Sequence, residues 1–425
     1  MKQKLPIPSR ERWTAIDEAL YGPKDLYMID PKEADQLRFH AIQESINHHY
    51  NHNQFYRTLC KQRDFTPKDV QTIADVPKIP LIPDTMFKGY PEPPLFTDWL
   101  RGIISDDITI PKVMGASYGE LIDRLNEQGL FIIFSSGSTG RHTFVPVDPI
   151  TFAREKYIRR DELYSEPHAL IHLGPNMLNS NWSYLFSLNN YRVPLYQKDL
   201  VFLGMNTPRV TPEVFQTKFL TRERIEDGFT KVISLLENLT SQNISGIFHS
   251  SPIMLSNFLS FLEGQQKRFT LGSGWFVETG GGSKKNETGT FSLQNLTIRI
   301  ESVFGIPKEN YRDLYAMSEC RAVFPTCEGQ YKHVPYTVLH PFVLDENLDP
   351  IGFNEPGRFA FIDTLAHSYP GFIITGDRVK LLENCPACNR PGPVLDPEIS
   401  RISGVEDKGC ANLVRRLMAE ETARI

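Results

Sequence analysis

The central part of the chain shows short apolar runs separated by longer amphipathic stretches. Between Leu130 and about Asp313, runs such as FIIF, ALIHL, LVFL and GIFH alternate with stretches such as IEDGFTKVISLLENL. Buried strands that alternate with amphipathic helices are typical of sheets whose strands are connected by helices. The pattern therefore predicts an α/β fold with layered sheets, and an α/β core over residues 121–312.

The N-terminal part has a different pattern. Residues 1–120 are rich in polar positions and punctuated by proline, and the apolar residues from Leu37 to Phe55 have spacings that predict an amphipathic helix within residues 32–63. The proline-rich stretch VPKIPLIPDTMFKGYPEPP follows this helix. We interpret it as a structured crossing at the surface, in the N-terminal part of the large domain.

In the C-terminal part, apolar and polar residues alternate with the period of β-strands. The runs VPYTVLHPFVLD, GRFAFIDTL and FIITGDRVKLL are separated by Gly and Pro, and they predict a β-rich subdomain over residues 313–404. A short tail over residues 405–425 is basic, and its spacing predicts a helix from Cys410.

Composition narrows the class of protein. The chain has 425 residues, of which 40% are hydrophobic and 23% charged, and its net charge is −5, which argues against disorder and against a nucleic-acid-binding surface. The first residues lack the apolar core of a signal peptide, and no run reaches the roughly 20 apolar residues that a spanning helix needs. We therefore expect a cytoplasmic enzyme without a membrane span.

A small polar loop follows the apolar run that ends at Phe134, and it is the sharpest local signal. It consists of Ser135, Ser136, Gly137, Ser138, Thr139 and Gly140. Small residues allow backbone N–H groups to approach a polyphosphate closely. A Walker loop would require GxxxxGK[ST] and a following helix, whereas the residues from His142 to Val147 predict a strand. The loop therefore indicates a phosphate-binding hairpin, with a simple flexible turn as the alternative.

Three further segments follow the loop in a fixed order: Tyr315 to Glu319, which includes Ser318; Thr375 to Arg378, which includes Asp377; and Arg401. Together with the loop, this order resembles the adenylate-forming superfamily, over roughly Phe131 to Gly404. The resemblance implies that the fold is that superfamily's large N-terminal domain and that ATP binds to the loop, Tyr315 and Ser318. It also implies that Glu319 helps to hold Mg²⁺ with ATP, that Asp377 accepts ribose hydroxyls, and that Arg401 contacts the ribose or a phosphate.

Within this superfamily the chain resembles the LuxE-type acyl-protein synthetases of bacterial bioluminescence, which are related to phenylacetate-CoA ligases. The residues that carry this resemblance form a glycine segment followed by lysines: Gly280, Gly281, Gly282, Lys284 and Lys285. The resemblance implies that these glycines lie against the nucleotide and that His249 lines the acyl pocket. A solvated glycine turn and a core histidine are the respective alternatives.

The chain departs from the superfamily pattern in two places. Only 48 residues follow Asp377, so the mobile C-terminal domain with its catalytic lysine is expected to be missing. Arg141 and His142 stand where many relatives have Pro-Lys, so another cation must offset the charge of the leaving pyrophosphate. Arg141, Lys284 and Lys285 are the candidates for that catalytic cation.

Cys410 is the candidate acceptor of the acyl group. It follows Lys408 and Gly409, at the predicted start of a helix, where positive charge lowers a thiol pKa and increases the thiolate fraction. The resemblance implies acceptance of the acyl group on a cysteine near the C-terminus, and Cys410 matches that position. A cysteine that merely packs the tail is the alternative.

Four residues have the spacing of a structural zinc site, namely Cys327, His333, Cys385 and Cys388. Two short chelating turns of this kind can converge on one tetrahedral Zn²⁺. Ordinary reduced cysteines are the alternative, and Cys320 is a possible substitute ligand. We interpret His48, His49 and His52 as a solvated helix face and Cys60 as a core residue.

The sequence thus predicts an AMP-forming ligase that uses Mg-ATP to activate a fatty or aryl carboxylic acid and then passes the acyl group to a thiol. An acyl- or aryl-CoA ligase, with coenzyme A as the acceptor, is the first alternative. A catalytically degenerate nucleotide-binding scaffold is the second. A partner protein that transfers or reduces the acyl group is compatible with either enzyme.

Overall fold

The computed structural model describes residues 7–105, 117–135, 141–158, 169–173, 201–202, 211–215, 222–280 and 293–402. The chain forms two compact units. The first is built mainly from Glu162–Ala316, and the second from Leu5–Asp161, Met317–Phe324 and Tyr331–Ile425. The sequence-based division at residues 120, 312 and 404 stays a prediction.

The described helices are α1 Ala15–Tyr21, α2 Pro31–His52, α3 Gln54–Gln62, α4 Pro93–Ile103, α5 Tyr118–Glu127, α6 Pro149–Ile158, α7 Pro212–Phe215, α8 Arg222–Ser241, α9 Pro252–Gly264 and α10 Leu293–Phe304. The described strands are β1 Ile82–Pro83, β2 Phe131–Phe134, β3 Phe144–Val147, β4 Ala169–Leu173, β5 Val201–Phe202, β6 Gly246–Ser250, β7 Phe276–Gly280, β8 Tyr311–Leu314, β9 Lys332–His333, β10 Leu339–Leu344, β11 Pro356–Asp363, β12 Phe372–Leu382, β13 Val394–Leu395 and β14 Ser400–Arg401.

The first unit contains a parallel sheet with the strand order β5-β4-β6-β7-β8. Its core joins the sheet to the helices: Phe248 of β6 stacks on Phe304 at the end of α10, with ring centroids 4.9 Å apart, and both lie near Phe258 of α9. All three rings are fully buried, and burying each contributes about 1.5–3 kcal/mol. The alternation of strands and helices predicted for this region is confirmed.

The second unit contains a largely antiparallel sheet with the order β10-β11-β12-β13-β9. Its longest strand, β12, also pairs with β14 and, in parallel, with β1, whose Ile82 lies opposite Ile373. Ile82, Pro83 and the following Asp84 are buried. The prediction that the proline-rich stretch crosses the surface is therefore wrong here, because its apolar residues pack as an edge of the sheet.

The N-terminal helices begin and end at residues that the sequence identifies. The Asp30 side chain accepts hydrogen bonds from the backbone N–H groups of Lys32 and Glu33, and Pro31 occupies the first turn, so α2 starts there. Asn53 adopts an extended conformation and caps α3, which splits the predicted single helix into two. In the described ranges, no helix has the length and apolar character required to span a bilayer.

Candidate active site

The predicted phosphate loop connects two antiparallel strands, β2 and β3, in which Phe131 lies opposite Val147 and Phe134 opposite Phe144. The backbone N–H of Ser135 donates to the carbonyl oxygen of Thr143 at 3.0 Å, and the hydroxyl of Ser135 accepts from the Thr143 N–H at 2.9 Å. The prediction that a strand follows the loop is confirmed. The remaining loop residues lie outside the described residues: Ser136, Gly137, Ser138, Thr139 and Gly140.

Arg141, the first described residue after the loop, is held against Tyr90. Its Nη2 donates to the carbonyl oxygen of Tyr90, and its Cζ lies 4.3 Å from the centroid of the Tyr90 ring. Beside it, His142 is buried, and its Nδ1 lies 2.7 Å from the carbonyl oxygen of Ser135. The hairpin is thus closed at its base, with an exposed guanidinium beside the loop.

Glu319 is a buried carboxyl group with an altered pKa. Burial, and then the nearby charge of Asp84, raise the pKa of Glu319 to about 7, although Lys88 and a hydrogen bond from the Thr143 side chain act in the opposite direction. The contact with Thr143 links Glu319 to the hairpin. The carbonyl oxygen of Glu319 accepts a hydrogen bond from the hydroxyl of Tyr369 at 2.9 Å.

Asp377 and Arg401 lie directly opposite each other on β12 and β14. The Nε of Arg401 lies 3.0 Å from Oδ1 of Asp377, and its Nη1 lies 4.0 Å from Oδ2 of Asp84. Asp84 interacts in turn with Glu319. Distant segments of the sequence therefore meet at one cluster of acidic and basic side chains, which we call the carboxylate cluster: Asp84, Glu319, Asp377 and Arg401.

Two residues of this neighbourhood, Asp84 and Lys88, were not predicted from the sequence. They lie at the two ends of a short 3₁₀ helix, Asp84–Lys88, immediately after β1. Asp84 is 7% exposed. The available signal was an acidic residue inside an otherwise apolar stretch, IPLIPDTMF, because a carboxylate flanked by buried residues needs a local partner.

The first unit holds three further predicted residues, His249, Gly280 and Tyr315, beside two that were not predicted, Glu278 and Arg312. His249 of β6, Glu278 of β7 and Arg312 of β8 lie side by side in register and are buried. Gly280 ends β7 opposite Leu314, and the half-buried Tyr315 directly follows β8. Ligands bind at the carboxyl ends of strands in sheets of this kind, and His249 and Gly280 lie near or at such ends, but their roles stay predictions.

Several predicted residues lie outside the described residues, so their roles stay predictions. They are Gly281, Gly282, Lys284, Lys285 and Cys410.

The predicted zinc ligands come together. The ligand atoms of Cys327, His333, Cys385 and Cys388 all lie within 4.8 Å of one another, and Nε2 of His333 is 3.3 Å from Sγ of Cys388. Zinc–sulfur bonds of about 2.3 Å place tetrahedral ligands about 3.8 Å apart, so the set is nearly closed around a metal-sized space. Cys320 is not part of this set, because its Sγ lies 3.4 Å from Oδ2 of Asp363.

Protonation in this set suits metal binding. Burial, and then the charge of Arg390, lower the pKa of His333 to about 4, which keeps its imidazole neutral. Burial alone would raise the pKa of Cys388, but hydrogen bonds involving Arg390 and Cys385 lower it below its usual value. Neutral imidazole and thiolate are the forms that bind zinc.

Two further predictions concern Cys60 and the histidines of α2. Cys60 is buried as expected, and burial raises its pKa to about 12. The prediction of a solvated face is wrong for His49, which is fully buried, with Nδ1 2.9 Å from Oγ of Ser105 and Nε2 3.1 Å from the carbonyl oxygen of Ala366. His52 is exposed.

Comparisons with known proteins identify relatives of similar sequence. Residues 216–419 match the model of the family described as acyl-protein synthetase, LuxE. The long-chain-fatty-acid–luciferin-component ligase of Aliivibrio fischeri is 23% identical over 399 residues, which cover 91% of each chain. The protein of the same description from Vibrio harveyi is 21% identical, over 94% of this chain and 92% of its own.

Solved structures show a similar fold. A 2-hydroxyisobutyryl-CoA ligase in an open conformation, in complex with 2-HIB-AMP and CoA, matches 95% of this chain and 77% of its own, with a TM-score of 0.63 and 13% identity. The postadenylation state of that ligase matches 88% of this chain and 69% of its own, with a TM-score of 0.60 and 13% identity. The resemblance inferred from the motif order is thus confirmed: the chain is similar to the LuxE acyl-protein synthetases and has the α/β fold seen in adenylate-forming enzymes.

Proposed function

We propose that the protein is an ATP-dependent, AMP-forming ligase that converts a fatty acid to an acyl adenylate and then transfers the acyl group to a thiol. The observation that carries this proposal is the carboxylate cluster, in which the two motif carboxylates, Glu319 and Asp377, meet Arg401 and Asp84. The names of the two bacterial relatives support a long-chain fatty acid as the substrate.

In the first step a carboxylate oxygen of the acid attacks the α-phosphorus of ATP. The bond from this phosphorus to the bridging oxygen breaks in line, and pyrophosphate leaves. Glu319 and Asp84 are the residues suited to hold Mg²⁺, which neutralises phosphate charge, since this ion takes one or two carboxylates beside substrate phosphates. A buried carboxyl group with a raised pKa fits this role, because a bound cation stabilises its ionised form.

The rest of the cluster positions the nucleotide. Asp377 accepts the ribose hydroxyls, and Arg401 fixes the orientation of Asp377 through their 3.0 Å contact. The residues Ser135 to Gly140 bind the phosphates through backbone N–H groups. Arg141, Lys284 and Lys285 remain the proposed cations for the leaving pyrophosphate, and Tyr315, Ser318 and Gly280 to Gly282 the proposed nucleotide contacts.

In the second step a thiolate attacks the carbonyl carbon of the acyl adenylate. The bond from that carbon to the phosphate oxygen breaks, AMP leaves, and the thiol proton passes to solvent, so a thioester remains. We propose Cys410 as this thiol and His249 as a residue that lines the acyl pocket. Coenzyme A as the acceptor, and a partner protein that later removes the acyl group, are tested by the same experiment. Because the reaction consumes ATP, we also propose a cytoplasmic location.

We further propose that Cys327, His333, Cys385 and Cys388 bind one structural Zn²⁺. Their Cys₃His chemistry and their mutual distances support zinc. All four positions are filled by protein, so the ion ties together the segments around β9 and the turn that contains Cys385 and Cys388. Metal binding of this kind contributes to folding and leaves no site for substrate.

The decisive experiment combines pyrophosphate exchange with acyl labelling. The protein is incubated with Mg-ATP and labelled fatty acids of graded length, and wild type is compared with Cys410→Ala and Glu319→Gln. Glu346→Gln is the matched control, because Glu346 is exposed. We expect Cys410→Ala to retain exchange but to lose hydroxylamine-sensitive label on the protein, and Glu319→Gln to lose both.

Different outcomes separate the alternatives. Normal labelling of Cys410→Ala would exclude Cys410 as the acceptor, and acyl-CoA formation on addition of coenzyme A would favour a CoA ligase. Absence of exchange with every acid in wild type would favour a nucleotide-binding scaffold.

A further inference from the structure

Arg321 and Glu155 form a fully buried ion pair beside the carboxylate cluster. Nη1 of Arg321 lies 3.0 Å from Oε2 of Glu155, and neither side chain has any exposed surface. Arg321 is two residues beyond Glu319 in sequence, and its Nη2 donates to the carbonyl oxygen of Ser318. The guanidinium of Arg321 therefore contacts both Glu155 and the backbone of the motif that carries Glu319.

Stability alone does not explain this pair. Removing two charges from water costs several kcal/mol per ion, and replacing a buried pair by apolar residues is often neutral or stabilising. Burial would lower the pKa of Arg321, but the charge of Glu155 raises it above its usual value, so the guanidinium stays charged. The reason for a charged pair at this place must therefore lie in the residues that the pair positions.

Glu155 connects the pair to the phosphate hairpin. It lies on α6, which begins at Pro149, directly after β3 ends at Val147 and Asp148 follows. The ion pair consequently joins the helix that continues from the hairpin to the segment that contains Glu319.

A second set of hydrogen bonds also holds the segment that contains Glu319. Oδ2 of Asp363 accepts the backbone N–H groups of Arg321 and, at 3.0 Å, of Ala322. Burial raises the pKa of Asp363, and these backbone donors act against that shift. Together with the hydrogen bond from Tyr369 to the Glu319 carbonyl oxygen, these contacts fix residues 318–322 to residues 363–369.

Residues 363–369 return to the hairpin and to α6. Nδ1 of His367 lies 2.8 Å from Oδ2 of Asp148, and the backbone N–H of His367 donates to Oγ1 of Thr151 at 2.9 Å. The hydroxyl of Ser368 donates to the carbonyl oxygen of Pro146 in β3 at 2.9 Å. The hairpin, α6, residues 318–322 and residues 363–369 thus form a closed ring of contacts, which we call the buried ring.

We propose that Glu155 and Arg321 are positioning residues that use this buried ring to fix Glu319 relative to the phosphate hairpin, as a metal ion held by Glu319 beside bound phosphates would require. This inference rests on the proposed function. Neither residue touches substrate, and both act through Glu319. Loss of the pair would displace Glu319 from its place beside the hairpin, whereas recognition of the fatty acid stays the same.

The test compares Glu155→Gln and Arg321→Lys with wild type. Changes in the residues that orient metal ligands cost about 10–100-fold in metal affinity, so we expect the Mg²⁺ concentration for half-maximal exchange to rise by at least about tenfold. The KM for the fatty acid, measured at saturating Mg²⁺ and ATP, should change by less than about twofold. Binding of Mn²⁺ with a non-hydrolysable ATP analogue, followed by electron paramagnetic resonance, should weaken in parallel.

Arg154→Lys is the matched control. Arg154 precedes Glu155 on α6, is also buried, and pairs with Asp17 at 3.4 Å. Among the described residues it forms no hydrogen bond with residues 318–322. We expect this variant to lower Tm but to leave the metal dependence unchanged. Glu155→Asp, which retains the charge, should recover part of the metal affinity that Glu155→Gln loses.

An unchanged metal requirement in folded Arg321→Lys and Glu155→Gln would overturn the proposal, and so would an equal change in Arg154→Lys. If wild type catalyses no exchange, the proposed function fails. The Mn²⁺ measurement then still decides whether the pair positions a metal site.

Discussion

The guanidinium of Arg401 lies between two carboxylates, with Nε 3.0 Å from Asp377 and Nη1 4.0 Å from Asp84. Asp377 belongs to a predicted nucleotide motif, whereas Asp84 comes from the proline-rich stretch and reaches this place because β1 pairs with β12. Arg401 is 62% exposed, so the contacts add little to stability. Their effect is on the orientation and the charge of the carboxylate cluster.

Asp84 should set the pH at which Glu319 becomes ionised. Its negative charge is, after burial, a cause of the raised pKa of Glu319, so Asp84→Asn lowers that pKa from about 7 toward the usual 4.5. If Mg²⁺ requires ionised Glu319, the acidic limb of the pH profile for pyrophosphate exchange moves to lower pH at saturating Mg²⁺. Asp349→Asn, at an exposed position, is the control and should leave the limb in place. If the limb does not move in Asp84→Asn, the acidic limb does not report the ionisation of Glu319 beside Asp84.

Glu319→Gln should stabilise the metal-free protein at alkaline pH while abolishing exchange. A carboxyl group whose pKa rises from 4.5 to about 7 on folding contributes stability below pH 4.5, and this contribution is lost as pH rises to about 7. Above that range, the buried charge costs about 3 kcal/mol at 1.36 kcal/mol per pKa unit. In urea unfolding at pH 8, the free energy of unfolding should be higher for the variant than for wild type. At pH 5 the two free energies should be similar. Equal stability at both pH values would show that Glu319 ionises without cost.

Zinc content should depend on Cys327, Cys385 and Cys388, and not on Cys320. We expect one zinc ion per chain by elemental analysis, loss of this ion in Cys327→Ser and Cys385→Ser, and a lower Tm in both variants. Cys320→Ser is the control, because Sγ of Cys320 is engaged by Asp363 and lies outside the set. A full zinc content in Cys385→Ser would disprove the site.

The sequence predicted those parts of the site that are local in the chain. Glu319 and Asp377 are recognisable because each lies in a short segment with its own residue order, and the zinc ligands because chelating pairs have fixed spacings. The strand after the phosphate loop was predictable for the same reason, since alternating apolar residues specify their own conformation.

The parts that the sequence did not predict depend on distant pairing. Asp84 reaches the site only because Ile82 pairs with Ile373, nearly three hundred residues away. His49 is buried because Ser105 and Ala366 come from other segments to bind both of its ring nitrogens. Helical spacing of histidines on α2 carries no information about these partners, so the prediction of a solvated face was wrong for His49.

The arrangement of β12 limits where the chain can be altered. This strand carries Asp377 in the middle of Phe372–Leu382, and its partners fix its register on both sides. Inserting one residue would turn every later side chain to the opposite face, which would move Asp377 or unpair β13. Reporter groups, affinity tags and new chain ends should therefore be engineered into the exposed turn between β10 and β11, around Glu346 and Asn347, where length can change without altering register.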